Sequence, residues 1–161
     1  MHCWDTAVTA KETSNYTAFL AIARKDDRFY ITDIDRFKMN AADLPPIIVD
    51  RANLDKPQQL LIERAPHAEY VIEEVRKQIN GDTRLIPYEP KNSSKQERLD
   101  RATPRIQNKR VFLPETHKLK DIFLEEVMSF PKGRYDDLVD CLTMGINYLA
   151  ESSGVAIFRI S

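Results

Sequence analysis

The segment from Gly133 to Leu142, GRYDDLVDCL, constrains the chain most. It sets three carboxylates, Asp136, Asp137 and Asp140, at the start of a helix whose apolar residues Leu138, Cys141, Leu142, Ile146 and Leu149 recur at helical spacing. One face of that helix must be buried. Asp136 and Asp140 are a turn apart and Asp137 shares a side with Asp140, so the acids are carried to the edge of a core. Clustered carboxylates repel one another, and two arrangements relieve this. Asp136 can cap the helix while the others favour its positive N-terminal end. Alternatively, the acids can share a hard divalent cation such as Mg²⁺. The helix by itself leaves both open.

With 161 residues, 42% hydrophobic and 30% charged, the chain has the length and core of one globular domain. A net charge of −1 excludes a global basic field, so any nucleic-acid contact must be a local patch. Cys3 and Cys141 sit in apolar settings and are expected as buried, reduced thiols. No apolar run approaches the roughly 20 residues of a membrane span, and no signal-peptide pattern is visible. The four glycines, Gly81, Gly133, Gly145 and Gly154, cannot build a phosphate-binding P-loop, which excludes an ATPase motor site within this sequence.

Along the chain, residues 2–8 read as a strand that contains Asp5, close enough to residue 1 to suggest a domain cut from a longer protein. A polar turn at 11–15 leads to strands at 16–23 and 29–37, joined by a hairpin at 25–28; together they form an antiparallel meander. Residues 40–53 read as a helix that Pro45 and Pro46 confine or start late. A strand at 58–64, an amphipathic helix at 67–79 ended by Gly81, and a short strand at 84–88 follow. Ser93 or Ser94 can cap a helix running to about Gln107; Val111 to Leu113 is extended, 119–130 is amphipathic, and 154–161 is an apolar tail. This order predicts an α/β fold: a mixed sheet with helices on both faces.

Two further acids stand out. Asp5 follows Trp4 inside the first strand, where a carboxylate must be exposed at an edge, paired, or bound to metal. Glu63 ends the apolar run Leu60-Leu61-Ile62, either as a strand-end charge paired with Arg64 or as a ligand. Acids on the first strand, the fourth strand and the last helix can converge on one edge of a sheet and hold two metal ions, the arrangement that hydrolyses phosphodiesters. His2, His67 and His117 lack a metal-ligand spacing; His67 starts a helix and the other two are expected at the surface or satisfied. Tyr88 is assigned to core packing rather than base stacking.

Residues 91–110 hold seven basic residues, Lys91, Lys95, Arg98, Arg101, Arg105, Lys109 and Arg110, against Glu97 and Asp100. Several fall at helical i, i+3 or i+4 spacing. Such a stripe is either a solvated helix face or a track for phosphates, which would position DNA without reading its sequence.

Five pieces in this order resemble the nuclease domain of the large terminase subunit of tailed bacteriophages and prophages. They are Trp4-Asp5-Thr6-Ala7, Leu61-Ile62-Glu63-Arg64, Lys95-Gln96-Glu97-Arg98, the run from Pro104 to Pro114, and the run from Phe130 to Asp140. The resemblance spans most of the chain and implies a ribonuclease H-like, resolvase-like fold. It implies a single nuclease domain over 1–161 without the packaging ATPase, cutting concatemeric viral DNA with little sequence preference. It implies Asp5, Glu63 and the Asp136/Asp137 pair as catalytic and metal ligands for Mg²⁺ or Mn²⁺, two ions in all, with Asp140 in support. It places Lys95 and Arg98 near the DNA backbone, and Lys91, Arg101 and Arg105 extend that stripe. Implied partners are double-stranded DNA and, in the full-length protein, the ATPase domain, the small terminase subunit and the portal. The isolated domain is expected to be a monomer in the cytoplasm of a bacterial host, with no membrane contact. The chain departs from the family's common pattern at Tyr135, where His is frequent, and at Lys109, where Gly is frequent. Two rivals remain: a Holliday-junction resolvase or transposase-type nuclease of the same fold, and a module that docks DNA or the portal without catalysis.

Overall fold

The computed structural model describes residues 1–7, 16–90 and 92–152. In chain order the elements are β1 (His2–Asp5), β2 (Thr17–Lys25), β3 (Arg28–Phe37), a 3₁₀ turn (Ala41–Asp43), α1 (Leu44–Asp55), β4 (Gln59–Glu63), α2 (Ala68–Gln78), β5 (Arg84–Tyr88), α3 (Lys95–Gln107), β6 (Val111–Phe112), α4 (Lys120–Ser129) and α5 (Asp137–Glu151). The strands form one six-stranded sheet in the order β5-β4-β1-β2-β3-β6. The meander β1-β2-β3 is antiparallel, while β4 lies parallel to β1 and β5 parallel to β4. A parallel β3–β6 pair closes the far edge.

Strand alternation divides the core into two layers. Trp4, Phe19, Leu60 and Ile62 pack with Leu44, Ile48, Val71, Ile72 and Val75 of α1 and α2. Cys3, Leu20, Ile22 and Leu61 pack with Leu138, Cys141, Leu142 and Ile146 of α5, with Ala102 of α3 and with Phe123 of α4. The helices thus cover both faces of a mixed sheet, as the chain order predicts. Gly145 lets α5 approach closely: a Cβ there would lie 3.0 Å from Ile22 Cγ2 and 3.2 Å from Cys3 Sγ. Both cysteines are buried and free, and burial pushes the Cys3 thiol up to about 12.

Local chemistry accounts for the element ends. Asp26 takes a positive φ of 56° in the two-residue hairpin between β2 and β3, a conformation Asp tolerates. Pro45 and Pro46 fall in the first turn of α1, where a missing N–H costs nothing. Ser94 and Glu97 form a reciprocal capping box at α3: Ser94 Oγ accepts from the Glu97 N–H at 3.2 Å, and Glu97 Oε2 accepts from the Ser94 N–H at 2.6 Å. Lys109, where the resembled family favours Gly, has φ 55°, the left-handed region that glycine enters without strain.

Two expectations shift. Asp5 is not interior to its strand: it is the last residue of β1, so its carboxylate stands at the sheet end. Gly81 does not terminate α2, which closes when the Ile79 N–H reaches Val75 O; Gly81 sits in the turn beyond, at φ 83°. His2 takes the second of its two expected places: it is buried, with Nε2 3.1 Å from Asp55 Oδ2. The turn at 11–15, the end of the first predicted strand at Val8, Lys91 and the apolar tail at 154–161 lie outside the described residues.

Candidate metal centre

β1 and β4 run parallel in the register Cys3↔Leu61 and Trp4↔Ile62. The next residues on each strand are Asp5 and Glu63. Alternation puts both on the side of Cys3 and Leu61, the side covered by α5. That helix brings Asp140, only 2% exposed, over the strand ends. One carboxylate oxygen from each of Asp5, Glu63 and Asp140 falls in a group spanning no more than 4.8 Å.

The remaining predicted acids take different places. Asp137 is 3% exposed and lines the same cleft, where its Oδ2 accepts from the Tyr16 N–H at 3.4 Å. Asp136 precedes α5 but makes no side-chain cap; its Oδ2 lies 2.8 Å from Lys95 Nζ at the rim. The capping role passes instead to Glu126 of α4, whose Oε1 accepts from the Leu138 N–H at 2.6 Å. Thus the three-carboxylate group is completed by Asp140, expected only in support, while Asp137 stands beside it and Asp136 borders it.

Burial is the largest influence on these acids. It lifts Asp5 well above the ordinary carboxylate range, and the neighbouring Glu63, Asp140 and Asp137 push in the same direction. Burial also raises Glu63 and Asp140, opposed chiefly by Arg98 and Lys95 respectively. Asp137 is raised to about 6 by burial, against the pull of the Tyr16 N–H. Burial alone would lower the Lys95 ammonium, but hydrogen bonds to Asp136 and Asp140 outweigh it and hold its pKa above the usual lysine range. The cleft is therefore a site where negative charge accumulates beyond what the protein neutralises comfortably.

The basic residues of α3 divide. Lys95 is exposed at the mouth, with Nζ 2.6 Å from Asp140 Oδ2. Arg98 does not lie on an exposed face: it is 4% exposed and its guanidinium contacts Glu63 and Asp140. The stripe predicted by spacing turns inward at this position because the carboxylates are there to receive it. Arg101 and Arg105 lie farther along α3 and donate to the carbonyls of Glu97 and Arg101.

Sequence reasoning missed two residues of the cleft. His67 serves as more than a helix start: its Nε2 donates to Thr6 O at 2.6 Å, fixing the backbone just after Asp5. Tyr16 lines the cleft and packs edge-on against Tyr135 at 5.0 Å, with the Arg36 guanidinium 4.3 Å above the Tyr16 ring. The His67 contact spans 61 residues and has no local sequence signal; the aromatic pair was signalled only by Tyr135 standing where His is frequent.

The model of the terminase RNase H-like domain matches residues 2–149. Among solved structures, the human cytomegalovirus terminase nuclease domain, Mn-soaked and inhibitor-bound, aligns with a TM-score of 0.66 at 16% identity, over 99% of this chain and 86% of that one. The fowlpox virus Holliday junction resolvase aligns with a TM-score of 0.54 at 11% identity, over 94% and 99%. Thermus thermophilus RuvC aligns with a TM-score of 0.53 at 11% identity, over 96% of both chains. Among curated proteins none matches. At these identities the structural likeness speaks to fold, and the fold is RNase H-like.

Proposed function

We propose that this chain, which belongs to the terminase RNase H-like domain family, is a metal-dependent DNA endonuclease. The observation that carries the reading is the convergence of Asp5, Glu63 and Asp140 from two strand ends and a helix. The donor set consists of carboxylate oxygens, without thiol or imidazole, and so suits a hard divalent ion. The structural relative soaked with Mn supports the same choice of ion.

Asp5, Glu63 and Asp140 would hold Mg²⁺ or Mn²⁺, with Asp137 available to a second ion and Asp136 at the edge. The bound ions supply activation of a water and stabilisation of the leaving oxygen of a phosphodiester. The protein's own groups prepare the place. Parallel pairing of β1 with β4 fixes Asp5 against Glu63. His67 holds the Thr6 carbonyl and so the chain leaving β1. Lys95, at the mouth, presents an ammonium where a DNA phosphate would arrive, and Arg101 and Arg105 extend positive charge along α3. Contacts of this type position DNA without reading bases, which accords with cleavage of little sequence preference.

In this reading residues 1–161 are one nuclease domain that cuts concatemeric viral DNA during genome packaging. The packaging ATPase domain, the small terminase subunit and the portal are its partners in the full-length protein, with double-stranded DNA as substrate. The setting is the cytoplasm of a bacterium infected by, or carrying, a tailed phage, and the isolated domain is a monomer. The test is supercoiled plasmid incubated with Mn²⁺ or Mg²⁺, with EDTA as control. Nicked and linear products dependent on the ion are expected; intact plasmid under all conditions contradicts the reading.

The likeness to two resolvases favours a second reading, a junction-resolving nuclease. A four-way junction and a linear duplex of the same sequence separate the two. Strong preference for the junction selects the resolvase.

A further inference from the structure

We propose that Arg98 is a positioning residue of the carboxylate cluster, setting Glu63 and Asp140 toward Asp5, and not a contact to the DNA backbone. This rests on the nuclease reading only in taking the cluster to bind a divalent ion.

Glu63 ends β4 and Asp140 lies in the first turns of α5, so the two carboxylates reach the cleft from separate elements. Arg98 touches both. Its Nη1 lies 3.3 Å from each Glu63 oxygen, and its Nη2 lies 3.0 Å from Asp140 Oδ1. A guanidinium is a planar fork, so the direction of one bond fixes that of the other. The orientation leaves Nε buried without a partner, which shows that the terminal nitrogens set the pose. The backbone beneath is held as well: Asn147 Nδ2 of α5 donates to Arg98 O at 2.9 Å, and the Ser94–Glu97 capping box fixes the start of α3. At 4% exposure, Arg98 would have to abandon both carboxylates to reach a phosphate. Lys95 also meets two carboxylates, Asp140 and the rim acid Asp136, but it differs in being exposed at the mouth of the cleft.

Arg98→Lys and Arg98→Met decide the matter. Lys keeps the charge but loses the fork; Met also loses the charge. Mn²⁺ binding is read from the electron paramagnetic resonance signal of the free ion, below the melting range and with circular dichroism on the same samples. Duplex DNA binding is measured in EDTA across a salt series, and plasmid nicking is assayed in parallel. Arg98→Lys is expected to fold and to bind Mn²⁺ about 10- to 100-fold more weakly, as removal of a ligand-orienting partner does. Its DNA salt slope is expected to match that of the parent. Arg98→Met is expected to lose at least as much Mn²⁺ affinity; if it does not fold, Arg98→Lys alone carries the test. Unchanged Mn²⁺ affinity in Arg98→Lys overturns the proposal, as does a salt slope lowered by about one unit, the signature of one phosphate no longer neutralised. Parent protein that nicks plasmid while the variant binds Mn²⁺ normally leaves the nuclease reading standing without this role for Arg98. Weakened Mn²⁺ binding in a protein whose parent never cuts DNA keeps the role and removes the nuclease. Parent protein that binds no Mn²⁺ removes both.

Discussion

Glu126 of α4 caps α5: its Oε1 accepts the Leu138 N–H at 2.6 Å, while its Oε2 pairs with Arg36 at 2.9 Å. A helix that carries two acids of the cleft is thus started by a carboxylate from the helix before it. At 4% exposure, Glu126 is shielded from water that could replace these partners.

Replacing Glu126 by Ala removes a buried acceptor from the α5 N-terminus and the carboxylate from Arg36. Removing one partner of a buried charged pair leaves the other uncompensated, so unfolding stability is expected to fall by about 3 kcal/mol. Urea denaturation of the variant checks this. A drop under about 1 kcal/mol contradicts the capping role.

Asp137 predicts a pH dependence. Burial raises its carboxyl to about 6 from the unfolded 3.8. The group's contribution to stability is complete below about pH 4 and is lost as pH rises through about 6, because ionising it is harder in the folded state. Asp137→Asn removes that ionisation. In EDTA the variant is therefore expected to exceed the parent by about 3 kcal/mol at pH 7.5, and the advantage should vanish near pH 4. Denaturation at the two pH values gives the difference directly. An advantage that does not change with pH places the raised pKa in doubt.

Repulsion within the cleft also predicts stabilisation by metal. A ligand that binds the folded state alone adds about 2.7 kcal/mol at a hundredfold excess over its dissociation constant. Mn²⁺ is expected to raise the melting temperature of the parent, and Glu63→Gln to reduce the rise. Equal shifts in the two proteins argue against an ion at Glu63.

DNA binding should follow the exposed part of α3. Replacing Arg101 and Arg105 together by Ala is expected to lower affinity alike on unrelated sequences and to reduce the salt slope by about one unit for each phosphate no longer neutralised. An unchanged slope removes this stretch from the DNA path.

The sheet and its helices were legible in the sequence because period two and period 3.6 announce which residues must be buried. The convergence of the acids was less so. That Asp5 meets Glu63 depends on the parallel register of β1 and β4, which no local pattern specifies; the family resemblance supplied that pairing. The burial of Arg98 against Glu63 and Asp140 was not legible, because an i, i+3 stripe looks the same whether it faces water or a pair of carboxylates. Asp136 was one candidate cap because helix starts are read locally, whereas Glu126 reaches α5 from 12 residues before Leu138. His67 was read as a helix start for the same reason, although its ring acts on Thr6 across 61 residues.

The most direct measurement is plasmid nicking by Asp5→Asn in Mn²⁺, beside the parent and Asp50→Asn, an exposed acid of α1 on the opposite face of the sheet. Asn keeps the shape of the side chain and one acceptor oxygen but loses the charge that holds a hard cation. The parent and Asp50→Asn should cut, while Asp5→Asn should retain its circular dichroism and lose cleavage by a factor of about a hundred or more, on the order of 3 kcal/mol in the barrier. Folded Asp5→Asn protein that nicks plasmid at the parental rate would contradict a metal nuclease built on this carboxylate.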